Sequence, residues 1–118
     1  MGTNKAWAIH WRRKKAWKNK EVYGYVMQLE DDCWYVGATV NPGNIRGDSK
    51  WKKLHPVIAV ETLHKIKESP RNWIKQTTLD YMVKYGFDKV RGSPYNKIKL
   101  NSPPQALQAR IMAQHLPA

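Results

Sequence analysis

Apolar residues crowd most clearly into two short runs, Val22-Tyr23-Gly24-Tyr25-Val26-Met27-Gln28-Leu29 and Cys33-Trp34-Tyr35-Val36-Gly37-Ala38-Thr39. Both runs are rich in valine and tyrosine, which fit a pleated surface, while the acidic triplet Glu30-Asp31-Asp32 between them stays solvated. The pattern predicts an antiparallel hairpin. If all three acidic residues form its loop, Tyr25 stands opposite Gly37 and Met27 opposite Tyr35, so both tyrosines and the bare glycine share one face. A two-residue turn instead puts Tyr25 and Tyr35 on opposite faces. A glycine inside a strand weakens it, so Gly37 marks a place where another group approaches the backbone.

Further along, Val57-Ile58-Ala59-Val60-Glu61-Thr62-Leu63 is apolar and β-branched and reads as a third strand, expected at the sheet centre. Ser69 and Pro70 supply an N-cap and a first-turn proline for a helix running to Tyr85, where Gly86 stops it. Ile74, Thr78, Tyr81, Met82 and Tyr85 recur at helical spacing and mark its packed face. Residues 41–48 are turn formers, and Phe87 to Leu100 reads as a turn with irregular structure. After Ser102-Pro103-Pro104 a last helix is expected over 105–116, with Leu107, Ile111 and His115 on one side. The expected class is α+β: a small three-stranded antiparallel sheet (22–29, 33–39, 57–63) flanked by helices. Residues 1–21 form a basic arm, 22–100 the domain and 101–118 a helical tail.

A chain of 118 residues, 42% of them hydrophobic, suits one domain with one core. Twenty-one Lys and Arg against nine Asp and Glu leave a net charge of +12, which makes polyanions the expected partners, nucleic acid first and an anionic membrane surface second. No apolar run approaches the roughly 20 residues of a membrane span, and no signal-peptide core is visible, so an intracellular, non-secreted protein is expected. The lone Cys33 excludes an internal disulfide and a cysteine zinc site, and the four histidines lack metal-motif pairing. No phosphate-cradling glycine loop or nucleophile elbow occurs.

Residues 1–20 hold seven of the basic residues and no acid, with tryptophans interleaved. Arg12, Arg13, Lys14 and Lys15 are candidates to neutralise phosphates, with Trp11 and Trp17 candidates to stack on exposed bases. The alternative is a solvated tail whose tryptophans dock on its own domain. Lys50, Trp51, Lys52 and Lys53 form a second basic and aromatic cluster, and Arg91 adds charge near the C-terminal side; all are candidate nucleic-acid contacts, as is Gly37.

Tyr25 with its strand, Tyr35-Val36-Gly37 with the next, and the later runs Thr78-Leu79-Asp80-Tyr81-Met82-Val83-Lys84-Tyr85-Gly86 and Val90-Arg91-Gly92-Ser93 together resemble the GIY-YIG nuclease family. The likeness covers residues 22–100, with the second part similar to a branch common in viruses and lower eukaryotes. It implies that Tyr25 and Tyr35 position or deprotonate a water and that a helix arginine holds the phosphate. It also implies that a glutamate one turn before Thr78 binds Mg²⁺. The chain departs from this pattern twice. Pro42, Gly43 and Gly47 break the arginine helix and leave Arg46 as its substitute, and the metal turn reads Trp73-Ile74-Lys75-Gln76, with no carboxylate. Glu68 is the remaining carboxylate candidate, and only if the helix began differently. The expectation is a nucleic-acid-binding GIY-YIG-like domain, catalytically degenerate and without a metal. Its role would be as an RNA-binding or assembly module of a ribonucleoprotein such as an organellar ribosome. The alternatives are an active Mg²⁺-dependent endonuclease of homing, phage or repair type, and a small basic inhibitor or recruiter of a protein.

Overall fold

A computed structural model of the chain describes residues 21–43, 45 and 50–115. The basic arm with Trp11, Arg12, Arg13, Lys14, Lys15 and Trp17, the substitute arginine Arg46, and the side chain of Lys50 lie outside the described residues. The hairpin forms as β1 (Val22–Leu29) and β2 (Cys33–Thr39), joined by a single 3₁₀ turn at Glu30–Asp32. Asp31 and Asp32 take left-handed conformations, with φ of 63° and 57°, which short polar side chains tolerate better than most. With three loop residues, the register puts Tyr25 opposite Gly37 and Met27 opposite Tyr35.

Strand β3 (Val57–Ile66) runs three residues past its expected end and pairs antiparallel with β1. It stands at the edge of the sheet, not at its centre, which corrects the expectation drawn from its apolar run. Val57, Ile58, Val60 and Leu63 are exposed, and two register shifts bend the strand along β1, a common way to blunt an open edge. A fourth strand, β4 (Val90–Arg91), pairs parallel with β2 on the other side, so the order is β3-β1-β2-β4 and the sheet is mixed rather than three-stranded and antiparallel. β4 lies in the stretch read as irregular; two residues carry no period.

Among the described residues, three helices accompany the sheet: α1 (Lys50–Leu54), α2 (Pro70–Tyr85) and α3 (Gln105–His115). The five-residue α1 was not anticipated. α2 keeps its expected bounds, with the Ser69 hydroxyl accepting from the Asn72 N–H and the Gly86 N–H closing the last turn on the Met82 carbonyl.

Alternation along the strands divides the side chains between two faces. On one, Val26, Trp34, Val36 and Val90 pack against Ile74, Leu79 and Met82 of α2 and Leu107 of α3. Trp34 stacks on Tyr85 at 4.6 Å. Arg110 of α3 bonds the Gln76 carbonyl at 3.0 Å and pairs with the Asp80 carboxylate, so the helix expected as a tail shares the domain's core. On the other face Tyr25, Met27, Leu29 and Cys33 surround Trp51 of α1, with Tyr35 and Ile45 beside them.

Candidate functional site

The tyrosine pair sits on the α1 side of the sheet. Tyr25 is buried and its ring lies 6.4 Å from that of the half-buried Tyr35. A Cβ at position 37 would overlap the Tyr25 hydroxyl and ring, so the group approaching the Gly37 backbone is the protein's own phenol. The expectation that Gly37 receives nucleic acid is corrected accordingly. Burial, reinforced by the neighbouring Tyr35, pushes the Tyr25 phenol up to about 12, and burial raises Tyr35 as well. At neutral pH both hydroxyls are protonated, so neither is suited to abstract a proton from water.

Lys52 adds a cation to this face. It is buried, with its ammonium 4.7 Å from the centre of the Tyr35 ring. Trp51 is also buried and donates from its indole to the Trp34 carbonyl at 3.1 Å. Of the second basic cluster, Lys53 is the member whose described side chain is exposed. Trp51 and Lys52 are therefore parts of the packed interior, a correction to their assignment as surface contacts. A run of alternating basic and aromatic residues reads as a solvated face; only the neighbours in space show that α1 turns two of them inward.

Arg91 is corrected in the same way. It is 2% exposed, and its guanidinium donates to the carbonyls of Lys97 (2.6 Å), Phe87 (2.7 Å), Val90 (2.8 Å) and Ile98 (3.1 Å). Its central carbon lies 4.3 Å from the centre of the Trp51 ring. Trp51 in turn meets His55 edge-on at 4.5 Å, and the His55 Nδ1 is 3.0 Å from an Asp31 carboxylate oxygen. A line of contacts thus ties the residues after β4, through α1, to the hairpin turn. Gly92 belongs to the same structural group: a Cβ there would overlap the Thr78 hydroxyl, which donates to the Ile74 carbonyl at 2.6 Å. Thr78, Arg91 and Gly92, which carry much of the family resemblance, act here in packing.

The described residues do not fit a divalent cation beside the tyrosines. The turn Trp73-Ile74-Lys75-Gln76 supplies no carboxylate and belongs to α2, which packs on the opposite face of the sheet. Glu68 is exposed and precedes the cap of that helix, and Lys52 already places positive charge over Tyr35. Among the described residues, no three or more His, Cys, Asp or Glu gather to hold a metal.

Arg71, Lys75 and Tyr95, passed over in the sequence, line concave surface in the fold. Arg71 and Lys75 are one helical turn apart on α2, and only the fold sets Tyr95 in the cavity that adjoins theirs at Pro94. No family model, curated protein or solved structure matches the chain. Among the described residues, no helix is long and apolar enough to cross a membrane.

Proposed function

We propose that this chain is a nucleic-acid-binding domain of GIY-YIG-like build that binds without cleaving, serving as an RNA-binding or assembly module in a ribonucleoprotein such as an organellar ribosome. The observation that carries the binding reading is the excess of 21 basic over nine acidic residues in 118. Such an excess raises the local concentration of phosphate polymers and steers their encounter. The tyrosine pair supports the absence of cleavage: a phenol with a pKa of about 12, closed over Gly37 beneath a lysine-bearing helix, offers no base. Among the described residues, no three or more His, Cys, Asp or Glu gather there to seat a metal.

The test has two arms. In the first, anisotropy titrations with structured RNA and duplex DNA should show log affinity falling linearly with log salt, by about 0.9 per duplex phosphate contacted. Removing residues 1–20 should flatten that slope. In the second, plasmid, single strands and structured RNA incubated with Mg²⁺ or Mn²⁺ should remain intact. Metal-dependent cleavage that vanishes in Tyr25→Phe and persists in Glu68→Gln would make the chain an enzyme with an unrecognised ligand. Loss in both would assign Glu68 to the metal.

A further inference from the structure

We propose that the concave surface crossing Ser93–Pro94 is a single-stranded nucleic-acid groove, in which Arg71 and Lys75 each take one of two successive backbone phosphates and Tyr95 takes an adjacent base. The proposal rests on the nucleic-acid-binding reading and gives that reading a place on the described fold. Two cavities carry it. One, of about 560 Å³, lies between the first turns of α2 and Ser93–Pro94; the other, of about 680 Å³, lies between Pro94–Tyr95 and the start of α3. Both have Pro94 in their walls, so they adjoin at that residue. Each volume falls in the range of about 300–1,000 Å³ typical of small-ligand sites, which suits an unstacked nucleotide and not a duplex.

The lining has the matching chemistry. Arg71 and Lys75 stand four residues apart on α2, hence on one side of the helix, and Ser69, Asn72 and Ser93 add hydroxyl and amide groups between them. Among the described residues, no carboxylate lines either cavity. Across Pro94, the half-buried Tyr95 is held by paired backbone bonds with Gly92, at 2.6 and 3.1 Å, and packs partly on the α2 side of the core. A ring anchored in this way can stack on a base at little ordering cost. Lys97 and Gln105 in the second cavity offer a further cation and an amide that can read a base edge. The Gln108 amide already donates to the Pro103 carbonyl at 3.0 Å and holds the far wall. The groove lies on the α2 side of the sheet, whereas Tyr25 and Tyr35 lie on the α1 side, so it is a different surface from the one the resemblance would use.

Anisotropy titrations of the full chain with labelled oligouridylate, oligodeoxythymidylate and a short duplex test the groove. Arg71→Gln/Lys75→Gln should weaken oligouridylate binding about tenfold at moderate salt and reduce the log-log salt slope by about 1.4, the value for two single-strand phosphate contacts. Lys84→Gln/Lys89→Gln removes the same charge outside both cavities and should change affinity less than about twofold. Tyr95→Leu keeps apolar bulk against the core but loses the ring; it should weaken binding about tenfold and leave the slope unchanged. Ultraviolet crosslinking of oligouridylate should label the peptide containing Tyr95. Thermal melting monitors folding, and if the double variant fails to fold, Lys75→Gln alone should lower the slope by about 0.7.

Equal losses in the two double variants would overturn the groove and leave general charge binding. Tighter binding of the duplex with the same mutational losses, or displacement of the oligonucleotide by polyglutamate at equal charge, would overturn the single-strand occupant. Failure of the wild-type chain to bind any of the three nucleic acids would remove the functional reading and the groove together. Wild-type binding with an unaffected Arg71→Gln/Lys75→Gln variant would remove the groove alone.

Discussion

The two faces of the sheet are closed in different ways. On one, a sixteen-residue helix with α3 behind it lays Ile74, Leu79, Met82 and Leu107 across Val26, Val36 and Val90, and the contact is almost wholly apolar. On the other, a five-residue helix turns two large side chains inward: Lys52, which lies over Tyr35, and Trp51, which is kept in place by the guanidinium of Arg91 and by a bond to the Trp34 carbonyl. A face covered by a long amphipathic helix spreads its stability over many small contacts. A face whose described cover is one short helix concentrates it in a few polar ties, each of which becomes expensive to lose.

Arg91→Met breaks the second arrangement most severely. Four carbonyls lose their donor and Trp51 loses its cationic neighbour, so the loss should be about 4 kcal/mol, measured by urea unfolding. Trp51 should become more solvent-accessible in the same variant. Leu79→Ala, at a side chain 1% exposed on the helix-covered face, should cost about 3 kcal/mol and leave the surroundings of Trp51 unchanged. A smaller loss for Arg91→Met than for Leu79→Ala would reverse the contrast.

Gly37→Ala sharpens the comparison on the tyrosine side. The new methyl collides with the Tyr25 phenol, and overpacking of this kind should cost about 2 kcal/mol. Adding Tyr25→Leu should recover about 1 kcal/mol of that loss, a coupling readable in a double-mutant cycle. Additive losses would place the strain elsewhere. Ser69→Ala, which removes the hydroxyl capping α2, should cost about 1 kcal/mol and should be felt on the helix-covered face only, as faster amide exchange in the first turn.

The smallest effect is invisible at neutral pH. Tyr25 has its folded pKa raised to about 12, so the folded state holds the phenolic proton more tightly than the unfolded chain, whose tyrosines ionise near the ordinary value of about 10. Its contribution is complete below that lower value and is lost as pH rises from it through the folded pKa. Stability against pH should therefore be flat through neutrality and fall in alkali, and Tyr25→Phe should make the fall shallower. A spectrophotometric titration in which every tyrosine of the folded chain ionised at the ordinary value would remove the buried phenol from the tyrosine face.

Local chemistry in the chain determined the elements that close on themselves. The hairpin follows from two valine- and tyrosine-rich runs with an acidic triplet between them, while the choice between its two possible registers, which decides whether Tyr25 and Tyr35 share a face, came with the three-residue loop of the folded chain. Helix α2 follows from its cap, its proline and its stop, all within a turn of its ends. The packing of Thr78 and Met82 was legible in helical spacing, and the burial of Cys33 in its place on a strand.

Tertiary structure alone decided what depends on distant partners. The apolar run Val57–Leu63 looks the same at a sheet centre as at an edge; pairing with β1 on one side and with no strand among the described residues on the other makes it the edge. Arg91 in the sequence is one more positive charge, and Lys50-Trp51-Lys52-Lys53 is one more basic surface. Five residues of helix turn Trp51 and Lys52 inward, and carbonyls from residues before and after Arg91 in the chain enclose its guanidinium. Propensity and spacing act over one or two turns of chain, while burial is set by whatever the fold brings alongside, and for a long side chain with an apolar stem and a charged end the latter decides.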